Sequence, residues 1–172
     1  MVRTKFRYIL FELQFFSTGD NDHPTDGSKG QDTLANLNPN FVPLQSSHVF
    51  HHVNDKAAEI FGDVASAEML VGFQVKYFNP YTGVGVIRSR FSHYRQIWAT
   101  LTLISNFRNR ACYFRVISVT GTMVKCQRQA IELSRQTILR WNQSKEKPIP
   151  LPLMKNTLEQ LEEDILEATG KV

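Results

Sequence analysis

The stretch Val71-Gly72-Phe73-Gln74-Val75-Lys76-Tyr77-Phe78-Asn79-Pro80-Tyr81-Thr82-Gly83-Val84-Gly85-Val86-Ile87-Arg88-Ser89-Arg90 decides the fold. Two runs rich in Val, Ile and aromatic residues flank Asn79-Pro80-Tyr81-Thr82-Gly83, where Pro fixes one φ angle and Gly supplies a positive one. This composition predicts a β-hairpin at the centre of a sheet. Alternation places Val71, Phe73, Val75 and Tyr77 on one face of the first strand, and Gly72, Gln74, Lys76 and Phe78 on the other. Pairing that brings Lys76 near Val86 and Gln74 near Arg88 gathers Lys76, Arg88 and Arg90 on the polar face. Such a trio is either a solvated sheet face or a binding surface, and the distribution of charge along the chain favours the second.

That distribution is uneven. From Lys76 to Lys145 there are twelve Lys or Arg residues, nine of them Arg, against the single acid Glu132. From Ser17 to Asp63 seven acids face two bases, and from Glu146 to Val172 six acids face three. A cationic block of this kind attracts a polyanion, because neutralised phosphates release counterions, and the planar Arg fork suits phosphate and base edges. An acidic protein surface would also satisfy the charge. Cys112 and Cys126 are the only cysteines and lack zinc spacing, so reduced thiols in an intracellular protein are expected. No signal-peptide pattern and no membrane-spanning run is seen, and Asn142-Gln143-Ser144 is expected to be an inert sequon.

Towards the N-terminus, residues 3 to 16 read as a strand. Arg3, Lys5 and Arg7 share a face with Ile9, Phe11, Leu13 and Phe15, while Phe6 and Tyr8 occupy the other, where they could stack on bases or be covered by a partner. Residues 17 to 45, rich in Gly, Asp, Asn, Ser and Pro, form a mobile insertion by composition. Ser46 or Ser47 starts a helix to about Phe61, stopped by Gly62, with Val49, Val53, Ala57 and Ile60 at helical spacing. His48, His51 and His52 lack a well-placed Cys or carboxylate and read as surface residues, not metal ligands. Asp55 and Glu59 share a helical face but are weak evidence of acid/base chemistry.

Towards the C-terminus, a helix from about Ser92 to Asn106 carries Tyr94, Ile97, Trp98, Leu101 and Ile104 as an apolar stripe, with Trp98 a core residue. A strand from Ala111 ends in Ser118-Val119-Thr120-Gly121-Thr122, and a helix follows. Thr122 is a good N-cap, free N–H groups at a helix start attract phosphate, and Lys125 and Arg128 lie on the next turns. The same features fit an ordinary capped helix. Lys147-Pro148-Ile149-Pro150-Leu151-Pro152 reads as an extended linker, before a last helix with Leu158, Leu161 and Ile165 on one face and acids elsewhere. Its acidity suits docking on this protein's own basic half or on a partner chain.

Strand, helix, strand, strand, helix, strand, helix, then a further helix predicts an α/β chain of the α+β kind. The expectation is a ferredoxin-like or RRM-like sheet of four mostly antiparallel strands, with helices mainly on one face and the other face open to a macromolecule. Residues 1–145 make one α/β domain suited to a polyanion, and 146–172 a Pro-containing linker with a detached acidic helix. No Ser/His/Asp set, metal ligand set or Gly-rich nucleotide loop is present, so no catalytic residue is assigned.

Three blocks carry a resemblance. Val2-Arg3-Thr4-Lys5-Phe6-Arg7-Tyr8-Ile9-Leu10-Phe11-Glu12-Leu13, Lys76-Tyr77-Phe78-Asn79 through Thr82 to Ile87-Arg88, and Val119-Thr120-Gly121-Thr122 resemble the signature blocks of one family. It is that of the fifth "processing of precursor RNA" subunit shared by eukaryotic ribonuclease P and ribonuclease MRP. The resemblance implies a non-catalytic protein on the catalytic RNA of a ribonucleoprotein, near precursor tRNA, whose Mg²⁺ ions belong to the RNA and not to the protein. It further implies pairing with a structurally similar small subunit and with a TIM-barrel-like subunit, a nuclear and nucleolar location, no membrane, and Arg3, Lys5 and Arg7 turned towards the RNA. The candidate RNA-binding residues are therefore Arg3, Lys5, Arg7, Lys76, Arg88, Arg90, Thr122, Lys125 and Arg128. The alternatives are an adaptor that binds an acidic protein and, third, a free-standing nuclease, which the basic half gives no carboxylate cluster to support.

Overall fold

The computed structural model describes residues 4–16, 42–143 and 150–170; Arg3, insertion residues 17–41 and linker residues 144–149 lie outside the described residues. In chain order the elements are β1 (Phe6–Phe15), α1 (Ser46–Phe61), α2 (Asp63–Leu70), β2 (Gln74–Phe78), β3 (Val84–Arg90), α3 (Tyr94–Leu103), β4 (Asn106–Phe107), β5 (Arg110–Thr120), α4 (Met123–Gln143) and α5 (Leu151–Thr169).

The hairpin forms where the sequence places it. Asn79 Oδ1 accepts from the Tyr81 and Thr82 N–H groups at 2.8 and 3.2 Å, and the Asn79 N–H donates to the Val84 carbonyl at 2.9 Å. Gly83 closes the loop at φ +71°, where a Cβ would strike the Leu13 carbonyl oxygen, so only glycine lets the loop lie against β1. Gln74 pairs with Arg88 as expected, but the register slips between Val75 and Tyr77. Lys76 is the extra residue of a β-bulge, and Tyr77, not Lys76, opposes Val86. One inserted residue reverses every side chain beyond it. Phe73 and Val75 therefore join the core on one side of the sheet while Tyr77 joins the core on the other.

The strands lie in the order β2-β3-β1-β5-β4, and every pair is antiparallel. Leaving β4 aside, this is the split βαβ arrangement expected of a ferredoxin-like chain. The sheet has five strands, not four, because the chain turns back at Arg108-Asn109 to pair Asn106 and Phe107 with β5. A two-residue strand carries no readable alternation.

Both faces of the sheet are covered, which corrects the expectation of an open face. Ile9, Phe11 and Leu13 pack with Val49, Val53 and Ala57 of α1 and Ile97 and Leu101 of α3. Leu10, Val84 and Val86 pack on the opposite face with Cys126, Ala130 and Ile138 of α4 and Leu161 and Ile165 of α5. Burying each Phe, Leu or Ile contributes roughly 1.5–3 kcal/mol, so neither layer is incidental. The last helix is not detached. Gln127 donates to the Thr169 hydroxyl and the Gly170 carbonyl at 2.6 and 3.1 Å, and Arg135 forms an ion pair with Glu162. Trp98, expected in the core, is 44% exposed, because α3 turns Ile97, Thr100 and Leu101 inward instead.

Candidate nucleic-acid interface

Antiparallel pairing places Phe6 opposite Arg90 and Tyr8 opposite Arg88, on the face that Leu10 shares with α4. Each of these four residues is half-buried. Arg88 lays its guanidinium 3.7 Å from the Phe6 ring centroid, and its Nη1 donates to Gln74 Oε1 at 3.4 Å. The Arg88 and Arg90 Nε–H groups are buried and have no acceptor among the described residues. A guanidinium held flat on a ring keeps a fixed plane and loses little entropy when it binds an anion.

Arg7 lies on the other face, 4.5 Å from the Phe91 ring, with its Nη1 donating to the Phe6 carbonyl at 3.0 Å. The same Nη1 is 3.4 Å from where a Cβ on Gly121 would stand, which puts Arg7 beside the turn into α4. Thr122 immediately precedes α4, and its carbonyl accepts from the Thr120 hydroxyl at 3.1 Å. Lys125 and Arg128 are exposed on the first turns of α4, as the helical spacing requires. Lys5 is exposed just before β1, with its carbonyl accepting from the Phe91 N–H at 2.9 Å.

One end of the sheet thus gathers Lys5, Arg7, Arg88, Arg90, Thr122, Lys125 and Arg128. It does not gather Lys76. As the extra residue of the bulge it lines a groove with Ser46, Asp164 and Glu167, so carboxylates of α5 stand near it. Arg3 is outside the described residues. Phe91, which seats Arg7, escaped the sequence reading because it follows β3 and lies outside its alternation.

Among the described residues no ion pair involves Arg7, Arg88, Arg90, Lys125 or Arg128; the pairs are Lys56–Glu59, Arg115–Glu12, Arg135–Glu162 and Lys155–Glu159. Nor does any group of three or more His, Cys, Asp or Glu there suit a metal ion. His52 instead bonds to the Asn106 carbonyl at 2.9 Å. Burial pushes the Cys112 thiol up to about 11 and the Cys126 thiol to about 12, which leaves neither a nucleophile near neutrality. No described helix is long and apolar enough to cross a membrane.

Comparison with known proteins places the chain in a family. The chain is 33% identical over 139 residues to ribonuclease P/MRP protein subunit POP5 of Schizosaccharomyces pombe, covering 80% of this chain and 91% of that protein. It is 39% identical over 144 residues to the POP5 subunit of Danio rerio, covering 81% and 75%, and 30% identical over 143 residues to that of Homo sapiens, covering 81% and 76%. A chain in the cryo-EM structure of yeast ribonuclease MRP aligns over 95% of this chain and 96% of its own, with TM-score 0.46 and 8% identity. The model of the Rpp14/Pop5 family matches residues 7–131, from Arg7 through the basic stripe of α4, and the chain belongs to that family.

Proposed function

We propose that this chain is a protein subunit of the ribonuclease P/MRP ribonucleoprotein and that the basic end of its sheet screens phosphates of the RNA. The family supports the first part: the curated relatives are named as ribonuclease P/MRP subunits, and in such particles the RNA performs catalysis while this chain is not itself an enzyme. Processing of precursor tRNA and precursor rRNA follows from membership of the particle, and the particle is of the nuclear kind. An adaptor for an acidic protein has no comparable support.

The observation that carries the RNA contact is that Arg7, Arg88, Arg90, Lys125 and Arg128 have no ion pair among the described residues, in a chain that pairs Arg115 and Arg135 with its own carboxylates. Phosphates entering this end meet guanidinium planes already fixed by Phe6 and Phe91. The contact is then preorganised, and its energy comes mainly from released counterions. The Mg²⁺ of the reaction belongs on the RNA. The adjoining subunits are a structurally similar small protein and a TIM-barrel-like protein, with precursor tRNA nearby, and the particle resides in the nucleolus.

Depletion of the chain in cells tests the function. Precursor tRNA with uncut 5′ leaders, or precursor rRNA, should accumulate; unchanged processing would remove the reading.

A further inference from the structure

The hairpin from β4 to β5 turns on Arg108 and Asn109, with φ of 50° and 61°. Asn tolerates this left-handed conformation, but Arg bears the full clash of its Cβ, and glycine would hold the same turn without strain. Such strain persists only where the surroundings over-determine it, and it collects where a side chain has a task. Here the surroundings are firm. Phe107 is 1% exposed, with its ring 4.4 Å from the His52 imidazole and 6.4 Å from Phe15. The Cys112 N–H donates to the Ser105 carbonyl at 3.0 Å, and Arg110 rests 5.1 Å from the Phe15 ring. Arg108 projects from this base, exposed and without an ion pair among the described residues.

The tip lies at the opposite end of β5 from the α4 turn. Eleven residues of strand separate them by roughly 35 Å, at about 3.3 Å per residue. That is several Debye lengths, so the two basic sites act independently. At the hairpin end, the exposed Phe16 and Tyr113 rings lie 5.4 Å apart with their planes tilted by 46°. An exposed guanidinium at the same end of the sheet as two exposed aromatic rings suits a phosphate together with an unstacked base.

We propose that the Arg108 hairpin is a second RNA contact, which takes a phosphate in an unpaired stretch of the RNA, so that the chain bridges two separated segments. The inference rests on the ribonuclease P/MRP reading but on none of the residues of the first cluster.

Arg108→Gly tests it, because glycine removes the guanidinium and relieves the turn at once. The full chain is titrated with transcribed ribonuclease P RNA across a salt series. The melting temperature should hold or rise by a few degrees, the salt slope should fall by about one, and low-salt affinity should fall roughly three- to tenfold, with Arg108→Lys restoring the slope. Affinity and slope equal to the unmodified chain overturn the inference, as does unchanged RNA affinity with loss of an acidic protein subunit from the reconstituted particle. Should glycine unsettle the fold, Arg108→Asn keeps a residue that accepts the turn, and the same two readings apply. Arg88→Ala with Arg90→Ala in the same assay separates the two sites. If that variant loses slope and Arg108→Gly does not, the hairpin proposal fails while the subunit reading stands.

Discussion

Arg115 and Arg135 belong to the same basic half of the chain as Arg88 and Arg128, yet the structure treats the two pairs differently. Arg115 donates from Nε to Glu12 at 3.1 Å, and Arg135 is paired with Glu162. Arg88 and Arg128 have no carboxylate partner among the described residues. The acids decide this. Glu12 stands opposite Arg115 on β1, and α5 lays Glu162 against α4 and brings Asp164 and Glu167 to the groove of Lys76. The acidic helix then ends at Thr169 beside Gln127, one residue short of Arg128. Free positive charge is therefore a matter of where the carboxylates stop, and a count along the sequence overstates it.

The largest effect should come from removing the free set. Neutralising Arg88, Arg90, Lys125 and Arg128 together should lower the salt slope of RNA binding by up to about four and low-salt affinity roughly a hundredfold. The melting temperature should fall only modestly, by the loss of the Arg88 stack on Phe6 and its bond to Gln74, since none of the four has an ion pair among the described residues. RNA titration and thermal melting check both halves, and retained affinity would break the distinction between the two sets.

Arg115→Ala should do the reverse. Its partner Glu12 has a side chain only 4% exposed, so the variant leaves a buried carboxylate without its cation. Arg115 is itself half exposed and water can replace part of the pair, so a loss of about 2–3 kcal/mol is expected, or roughly 5–10 °C in melting temperature. RNA affinity per folded molecule should not change. A drop in affinity larger than the drop in folded fraction would place Arg115 in the RNA contact.

The hairpin, most of the helix stripes and the exposed basic positions of α4 were legible, because Asn79-Pro80 with Gly83 specifies a turn and 3.6-residue spacing specifies a face, although α3 turns Trp98 outward. The covering of both sheet faces left a sign that alternation alone conceals. Ile9, Leu10, Phe11, Glu12 and Leu13 are all buried, and a nearly unbroken apolar run marks a strand packed on two sides. What could not be read was the bulge at Lys76, since no residue type announces it. Helix α2 was also missed, being eight residues long with no amphipathic period. The seat of Arg7 on Phe91 is a tertiary contact, and no local pattern encodes it.

Glu162→Gln offers the smallest and most direct test of the acidic helix as a mask. The side chains of Arg135 and Glu162 are 44% and 28% exposed, so the pair contributes at most about 1 kcal/mol and its loss should barely move the melting temperature. Helix α5 should stay docked, because Leu161 and Ile165 are 1% and 0% exposed and glutamine keeps the volume of the side chain it replaces. What changes is that Arg135 becomes a free cation on the stripe of Lys125 and Arg128. If RNA follows that stripe, the salt slope should steepen by up to about one. An unchanged slope would end the RNA track at Arg128, and a shallower slope would mean that the pair itself, not the freed cation, faces the RNA.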